Sequence, residues 1–269
     1  MPDTLLNFVH ISDTHLLNPQ QTPDYAGIQP HLVDYAQQVM SLAYTGIEAT
    51  TRLIEAINRL PVNVDFVLHT GDVAGASGVD KRMIDNLMAR LNAPVIYVQG
   101  NHDSGCFGCQ PDNGFREHRI KGVQVICLDS YDADGGHAGW LSEGQLDQLD
   151  AVCTSSDASP LIVATHHHPV PIGVPWLDEL CLRNGDVLHH ILQKAKQRLK
   201  GVFFGHIHRS LDILQGGILY SSVASANYQF AAWSGIESPA LDLCADPGFN
   251  LVTMTTDQTY VRHHRFSMR

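Results

Sequence analysis

Five short apolar runs in this chain each end in side chains able to hold a metal ion, and no other sequence feature constrains the fold as tightly. The run Leu5–Ile11 is followed by Asp13-Thr14-His15, and Val64–His69 by Gly71-Asp72. Pro94–Val98 leads into Gly100-Asn101-His102-Asp103, Leu161–Thr165 into His166-His167-His168-Pro169, and Gly201–Phe204 into Gly205-His206-Ile207-His208. Each run has strand length and is rich in Val, Ile, Leu or Phe. Polar groups gathered at the C-terminal ends of strands are where α/β sheets build their sites.

The rest of the chain supports an α/β class. Val123–Leu128 is a further strand-like run, and helical patterns lie at Gly46–Leu60, Lys81–Leu91, Ser142–Val152 and Val187–Leu199. Strands alternating with helices indicate layers of helix on sheet. After residue 200 the rhythm changes. Leu211–Leu214, Gly217–Val223, Asn250–Thr255 and Tyr260–Phe266 read as successive antiparallel strands that complete a second sheet. With no repeat or Gly/Ser linker, residues 1–269 read as one domain. Residues 17–45, with Pro19, Pro23, Gly27 and Pro30, read as a lid, as an oligomer contact such as a homodimer seam, or as a long loop with one helix.

Spacing adds geometry. In extended chain, residues i and i+2 face the same side. Asp13 and His15 can therefore share an ion while Thr14 turns away, and His206 and His208 can do so with Ile207 turned to the core. Gly71, Gly100 and Gly205 allow tight turns and close backbone approach. Mixed carboxylate, amide and imidazole donors suit Mn, Fe, Co or Zn better than Ca or Mg. No cysteine falls in these motifs, which argues against a structural thiolate zinc site.

The balance of 28 acidic against 17 basic residues gives a formal charge of −11, which disfavours tight nucleic-acid binding. It does not exclude a small anionic substrate, because two bound divalent ions would dominate the local field. No stretch approaches the roughly 18 apolar residues of a membrane helix. The start, with Asp3 and no basic region, reads as a first strand and not a signal peptide. Six scattered cysteines point to a reduced, cytoplasmic protein. Cys106-Phe107-Gly108-Cys109 reads as two ordinary loop cysteines. The pairs His189-His190 and His263-His264 read as solvated or structural, and Asn227–Phe230 is a candidate lining for the pocket.

The motifs Asp13-x-His15, Gly71-Asp72, Gly100-Asn101-His102-Asp103, His167 and Gly205-His206-x-His208, in this order, resemble the calcineurin-like metallophosphoesterase superfamily. The strings His10–His15 and His166–Pro169 are most similar to its branch of class III cyclic-nucleotide phosphodiesterases and glycerophosphodiesterases. The resemblance implies a two-sheet β-sandwich flanked by helices on both sides, a four-layer α/β/β/α fold. It implies one metal ion on Asp13, His15, Asp72 and His208 and another on Asp72, Asn101, His167 and His206, with Asp72 bridging. His167 is chosen because relatives place this ligand two residues before a proline. His166 and His168 are then flankers, second-shell or substrate-facing.

It also implies a mechanism in which the two ions activate a water and neutralise phosphoryl charge. His102 would contact phosphate or protonate the leaving oxygen, and Asp103 would fix the His102 tautomer. The expected activity is hydrolysis of a small phosphodiester, with cAMP the leading candidate. A phosphomonoesterase or glycerophosphodiesterase would use the same site. A non-catalytic scaffold is disfavoured because every ligand and His102 are present, and a nuclease by the acidic charge.

Overall fold

Alternation along the strands sets the layers. The structure, a computed structural model, describes residues 4–17, 37–39, 41–75, 79–103, 114–130 and 137–268. In β1 (Thr4–Ile11), Leu6 and Phe8 enter one interior while Val9 and Ile11 enter another. In β2 (Phe66–His69), Phe66 and Leu68 join the first interior and Val67 the second. With β3 (Val95–Tyr97), β10 (Gly248–Thr255) and β11 (Thr259–Arg265) they form a five-stranded sheet of order β11-β10-β1-β2-β3.

The second sheet has six strands in the order β4-β5-β6-β7-β9-β8. They are β4 (Phe115–Ile120), β5 (Val123–Leu128), β6 (Leu161–Thr165), β7 (Leu199–Phe204), β8 (Asp212–Gln215) and β9 (Ile218–Ser222). Val125 and Cys127 of β5, Ile162 and Ala164 of β6, and Phe203 of β7 face the interior shared with the first sheet. There Phe8 stacks on Phe66, with ring centroids 4.9 Å apart, and meets Phe203 edge-on at 5.1 Å. Phe203 is fully buried, so Phe203→Ala is expected to cost about 3–5 kcal/mol. Chemical denaturation of the metal-free protein checks this.

Helices cover both outer faces. α1 (Gly46–Asn58) and α2 (Lys81–Met88) insert Leu53, Ile54, Ile57, Ile84, Leu87 and Met88 against the first sheet. α3 (Glu143–Thr154), α4 (Pro175–Asp178) and α5 (Gly185–Lys194) pack Leu149, Trp176, Leu188 and Leu192 against the second. The result is the expected α/β/β/α sandwich. Thr45 and Ser142 start α1 and α3 with capping boxes to Glu48 and Gln145, which satisfy amide groups left free at a helix start. Among the described residues, no helix is long and apolar enough to cross a membrane.

Two expectations are corrected. The late strands do not all complete the second sheet: β8 and β9 extend it beside β7, while β10 and β11 extend the first sheet beside β1. A hairpin satisfies its own inner edge, and its sequence does not say which open edge it joins. The pattern over Val187–Leu199 also divides, because the helix ends at Lys194 and Leu199 begins β7. Of residues 17–45, 18–36 and 40 lie outside the described residues, as do Cys106 and Cys109.

Candidate metal centre

The strands β1, β2 and β3 run parallel, as do β6 and β7. Their C-terminal turns therefore emerge at one edge of each sheet, and backbone hydrogen bonds zip them together. Asp13 N–H donates to Gly71 O at 3.0 Å, His15 N–H to Asp72 O at 3.0 Å, and Gly205 N–H to His166 O at 3.0 Å. The two sheets are joined here as well, since His206 N–H donates to Asp13 Oδ2 at 3.1 Å.

The turns are not extended. Asp13, His15, Asp72, His206 and His208 all have left-handed backbone, with φ of 55°, 42°, 52°, 67° and 51°. Each costs a residue with a side chain on the order of 1 kcal/mol or more. The i, i+2 convergence expected of extended chain is thus obtained in another way, by left-handed residues on either side of Thr14 and of Ile207. Thr14 Oγ1 donates to Val73 O, and Ile207 is buried against the second sheet, as the spacing suggested. Gly71 has φ of 100°, and a Cβ there would lie 2.6 Å from His166 Nδ1 and 2.7 Å from Gly100 N. Only glycine fits.

Each carboxylate gives one oxygen to a backbone amide and turns the other toward imidazoles. Asp72 Oδ1 accepts from His102 N–H at 2.9 Å, and Asp72 Oδ2 lies 3.7 Å from His15 Nε2 and 3.4 Å from His166 Nε2. Asp13 Oδ2 takes the His206 amide, and Asp13 Oδ1 is buried with no hydrogen-bond partner among the described residues. Around Asp13 Oδ1 stand His208 Nε2 at 3.3 Å and His15 Nε2 at 3.8 Å, with 3.1 Å between the two nitrogens. Around His166 Nε2 stand Asn101 Oδ1 at 3.1 Å and His206 Nδ1 at 3.2 Å. Donors on one ion at about 2.0–2.2 Å stand roughly 3–3.5 Å from each other, so both groups fit a metal. Asp72 Oδ2 borders both.

The ring tautomers agree. His208 Nδ1–H donates to Tyr228 O at 2.9 Å and His166 Nδ1–H to Thr70 O at 2.7 Å, which leaves both Nε2 lone pairs directed at the clusters. Burial would raise the Asp13 carboxyl, but His208 beside it prevails and holds it down at about 2. Burial keeps His15 neutral by lowering it to about 3, against the pull of Asp72. Burial likewise opposes charge on His166, but without an ion the Asp72 carboxylate outweighs it and pushes that ring up to about 9, so an ion at Nε2 would take the place of a proton there. Two buried anionic carboxylates facing imidazoles call for cations.

The side-chain geometry bears on two of the expected roles. His167 reaches the neighbourhood, its ring 4.5 Å from that of His206 and a ligand atom within 4.8 Å of those of His166 and His206, while both of its nitrogens also hold hydrogen bonds. Nδ1 accepts from Ser130 Oγ at 2.8 Å and Nε2–H donates to His137 O at 3.1 Å. His166, read as a flanker, presents Nε2 to Asn101 and Asp72. The offset from Pro169 fixed the neighbourhood but not which of three consecutive rings turns inward. Asp103, expected to orient His102, is fully buried, and its carboxylate accepts from Ala74 N–H at 3.0 Å and Gly100 N–H at 2.9 Å. It braces the ligand turns, and among the described residues no bond joins it to the His102 ring. Burial and the Asp72 charge push its carboxyl up to about 7.

His102 itself is the open member of the group, with its side chain 31% exposed and Nε2 4.0 Å from Asp72 Oδ2. His168 is buried against His206, its ring 6.0 Å away, and does not face substrate. From the segment Asn227–Phe230, Tyr228 stacks on His15 at 5.2 Å and Phe230 on His208 at 4.2 Å, forming an aromatic wall beside one cluster.

A family model described as calcineurin-like phosphoesterase matches residues 6–210. A 3′,5′-cyclic adenosine monophosphate phosphodiesterase of Pseudomonas aeruginosa is 33% identical over 215 residues, 77% of this chain and 76% of that protein. A 3′,5′-cyclic-nucleotide phosphodiesterase of a Nostoc strain is 27% identical over 263 residues, covering 95% and 90%. Among solved structures, a dimetal phosphatase from Danio rerio superposes over 98% of this chain and all of its own, with a TM-score of 0.62 at 15% identity. At that identity the likeness speaks to the fold alone.

Proposed function

Because the chain belongs to the calcineurin-like phosphoesterase family, we propose that it is a two-metal phosphodiesterase acting on 3′,5′-cyclic nucleotides, with cAMP its foremost substrate. One observation carries this reading: two clusters of buried donors meet at a single carboxylate oxygen, Asp72 Oδ2, with His102 open beside them. Asp13, His15, Asp72 and His208 would hold one ion, and Asp72, Asn101, His166 and His206 the other. The donors favour Mn, Fe, Co or Zn. Since the ligand turns come from both sheets and the sheets share an interior, the whole sandwich acts as one catalytic domain.

When bound, the ions supply charge neutralisation at phosphorus and an activated water near neutral pH. The remaining work belongs to side chains. The left-handed turns hold the donors in place before substrate arrives, so little reorganisation is left to the reaction. His102, carrying a proton at Nε2, contacts the phosphoryl group and delivers that proton to the departing ribose oxygen. Tyr228 and Phe230 keep bulk water from the His15 and His208 rings.

Comparing cAMP, bis-(p-nitrophenyl) phosphate and p-nitrophenyl phosphate as substrates tests the assignment. The diesters are expected to turn over faster, and a strong preference for the monoester would sink the reading. The ligand set has its own test in metal content. His166→Asn is expected to lower bound metal from two ions to about one per chain, while His167→Asn keeps both. The reverse pattern would return the role to His167.

A further inference from the structure

Between the sheets, where Phe8, Phe66 and Phe203 make an apolar interior, lies one fully buried histidine that the scheme above leaves unused. His10 is in β1, its ring 5.5 Å from that of Phe203. An apolar residue would pack there without the cost of burying two ring nitrogens, on the order of 1–3 kcal/mol for each polar group left unpaired.

Both nitrogens are in fact paired, and the pairing leads to the centre. The Asn250 amide is oriented by Ser222 O, which accepts Nδ2–H at 3.0 Å. The same nitrogen faces His10 Nδ1 at 3.5 Å, so Nδ1 accepts and the His10 proton sits on Nε2. Nε2–H then donates to Thr70 Oγ1 at 3.0 Å. Thr70 is pinned further, since its N–H donates to Ile11 O at 3.0 Å. Its own carbonyl accepts Nδ1–H of His166 at 2.7 Å. That carbonyl lies immediately before Gly71 and Asp72, whose left-handed backbone needs bracing. Outward from Asn250 the chain continues. His263 bonds Asn250 Oδ1 through Nδ1 at 2.8 Å and Asp212 Oδ2 through Nε2 at 2.9 Å. Asp212 is on the edge strand β8 of one sheet and His263 on the edge strand β11 of the other. A polar chain thus runs from a clip between the sheets to a ring of the centre.

We propose that His10 is a positioning residue for the second metal site: through Thr70 it holds the His166 ring in the tautomer and orientation that leave Nε2 free for the ion. The proposal rests on the reading of His166 as a ligand. If His10 merely filled the space between sheets, its loss would lower stability and weaken both ions alike. A positioning role makes the loss selective.

The test is manganese titration of the metal-free protein by calorimetry, with thermal unfolding of the same samples. The second site is identified as the one that His166→Ala removes. His10→Leu and Thr70→Val are each expected to weaken that site about 10–100-fold and to leave the first within about threefold of wild type. His10→Gln is expected to recover to within about threefold, since an amide can accept from Asn250 and donate to Thr70. Should His10→Leu fail to fold, Thr70→Val decides alone, because it changes one atom and keeps the carbonyl. Wild-type affinity at the second site in the folded variants, or equal weakening of both sites, overturns the proposal. A His166→Ala protein that still binds two ions removes its premise and with it the ligand reading, an outcome distinct from failure of His10 alone.

Discussion

Asp72→Asn is expected to reduce phosphodiesterase turnover by about a thousandfold or more and to leave at most one metal ion per chain. The size of the effect follows from the placement of one atom. Asp72 Oδ2 borders both donor clusters, 3.7 Å from His15 Nε2 and 3.4 Å from His166 Nε2, while Oδ1 is committed to the His102 amide. An amide keeps the shape but removes the charge, and either end it turns inward serves poorly. Its oxygen is neutral, and its nitrogen can only donate. No neighbour compensates, because Asp13 is committed to the other side and Asp103 to two backbone amides. Metal content and kcat measured on one preparation check both parts.

His102→Ala is the second large effect, and its pattern matters more than its size. His102 is not needed to hold an ion in this account, so the variant should keep both. General acid assistance is worth about 10²–10⁴-fold, and only where the leaving oxygen needs a proton. A ribose alkoxide needs it, whereas nitrophenolate does not. The variant is therefore expected to lose at least a hundredfold in kcat on cAMP and less than about tenfold on bis-(p-nitrophenyl) phosphate. Equal losses on both substrates would assign His102 to phosphate binding instead of proton delivery.

How far the sequence reaches differs from element to element. β2 and β6 were legible because they are buried on both faces and read as apolar runs, and β3, an edge strand burying only Ile96, because its residues are apolar throughout. β4 was not, since FREHRI at a sheet edge shows Arg, Glu and His to solvent and buries only Phe115. The edges joined by β8–β9 and β10–β11 depend on which interior each hairpin completes, and no local pattern records that. At the site, the same motifs that drew attention to Asp13, His15, Asp72, Asn101, His206 and His208 bring them to one edge. Motifs do not encode rotamers, however. How the His166 and His167 rings are turned is set by Thr70 O and Ser130 Oγ, partners that lie 96 and 37 residues away. The same limit hid the role of Asp103, whose carboxylate turns to backbone amides of its own and the preceding turn. His10 and His69, one inside an apolar run and the other closing one, passed as ordinary strand residues until the hydrogen bonds to Thr70 and Thr14 showed them beneath the centre.

The most direct measurement of the central claim is cAMP hydrolysis by wild-type protein stripped of metal and reconstituted with Mn, with bound metal counted in the same sample. The account predicts about two ions per chain, formation of AMP only in the reconstituted sample, and activity that rises with the second ion bound. A folded protein that binds two ions yet hydrolyses neither cAMP nor any other phosphodiester would contradict it.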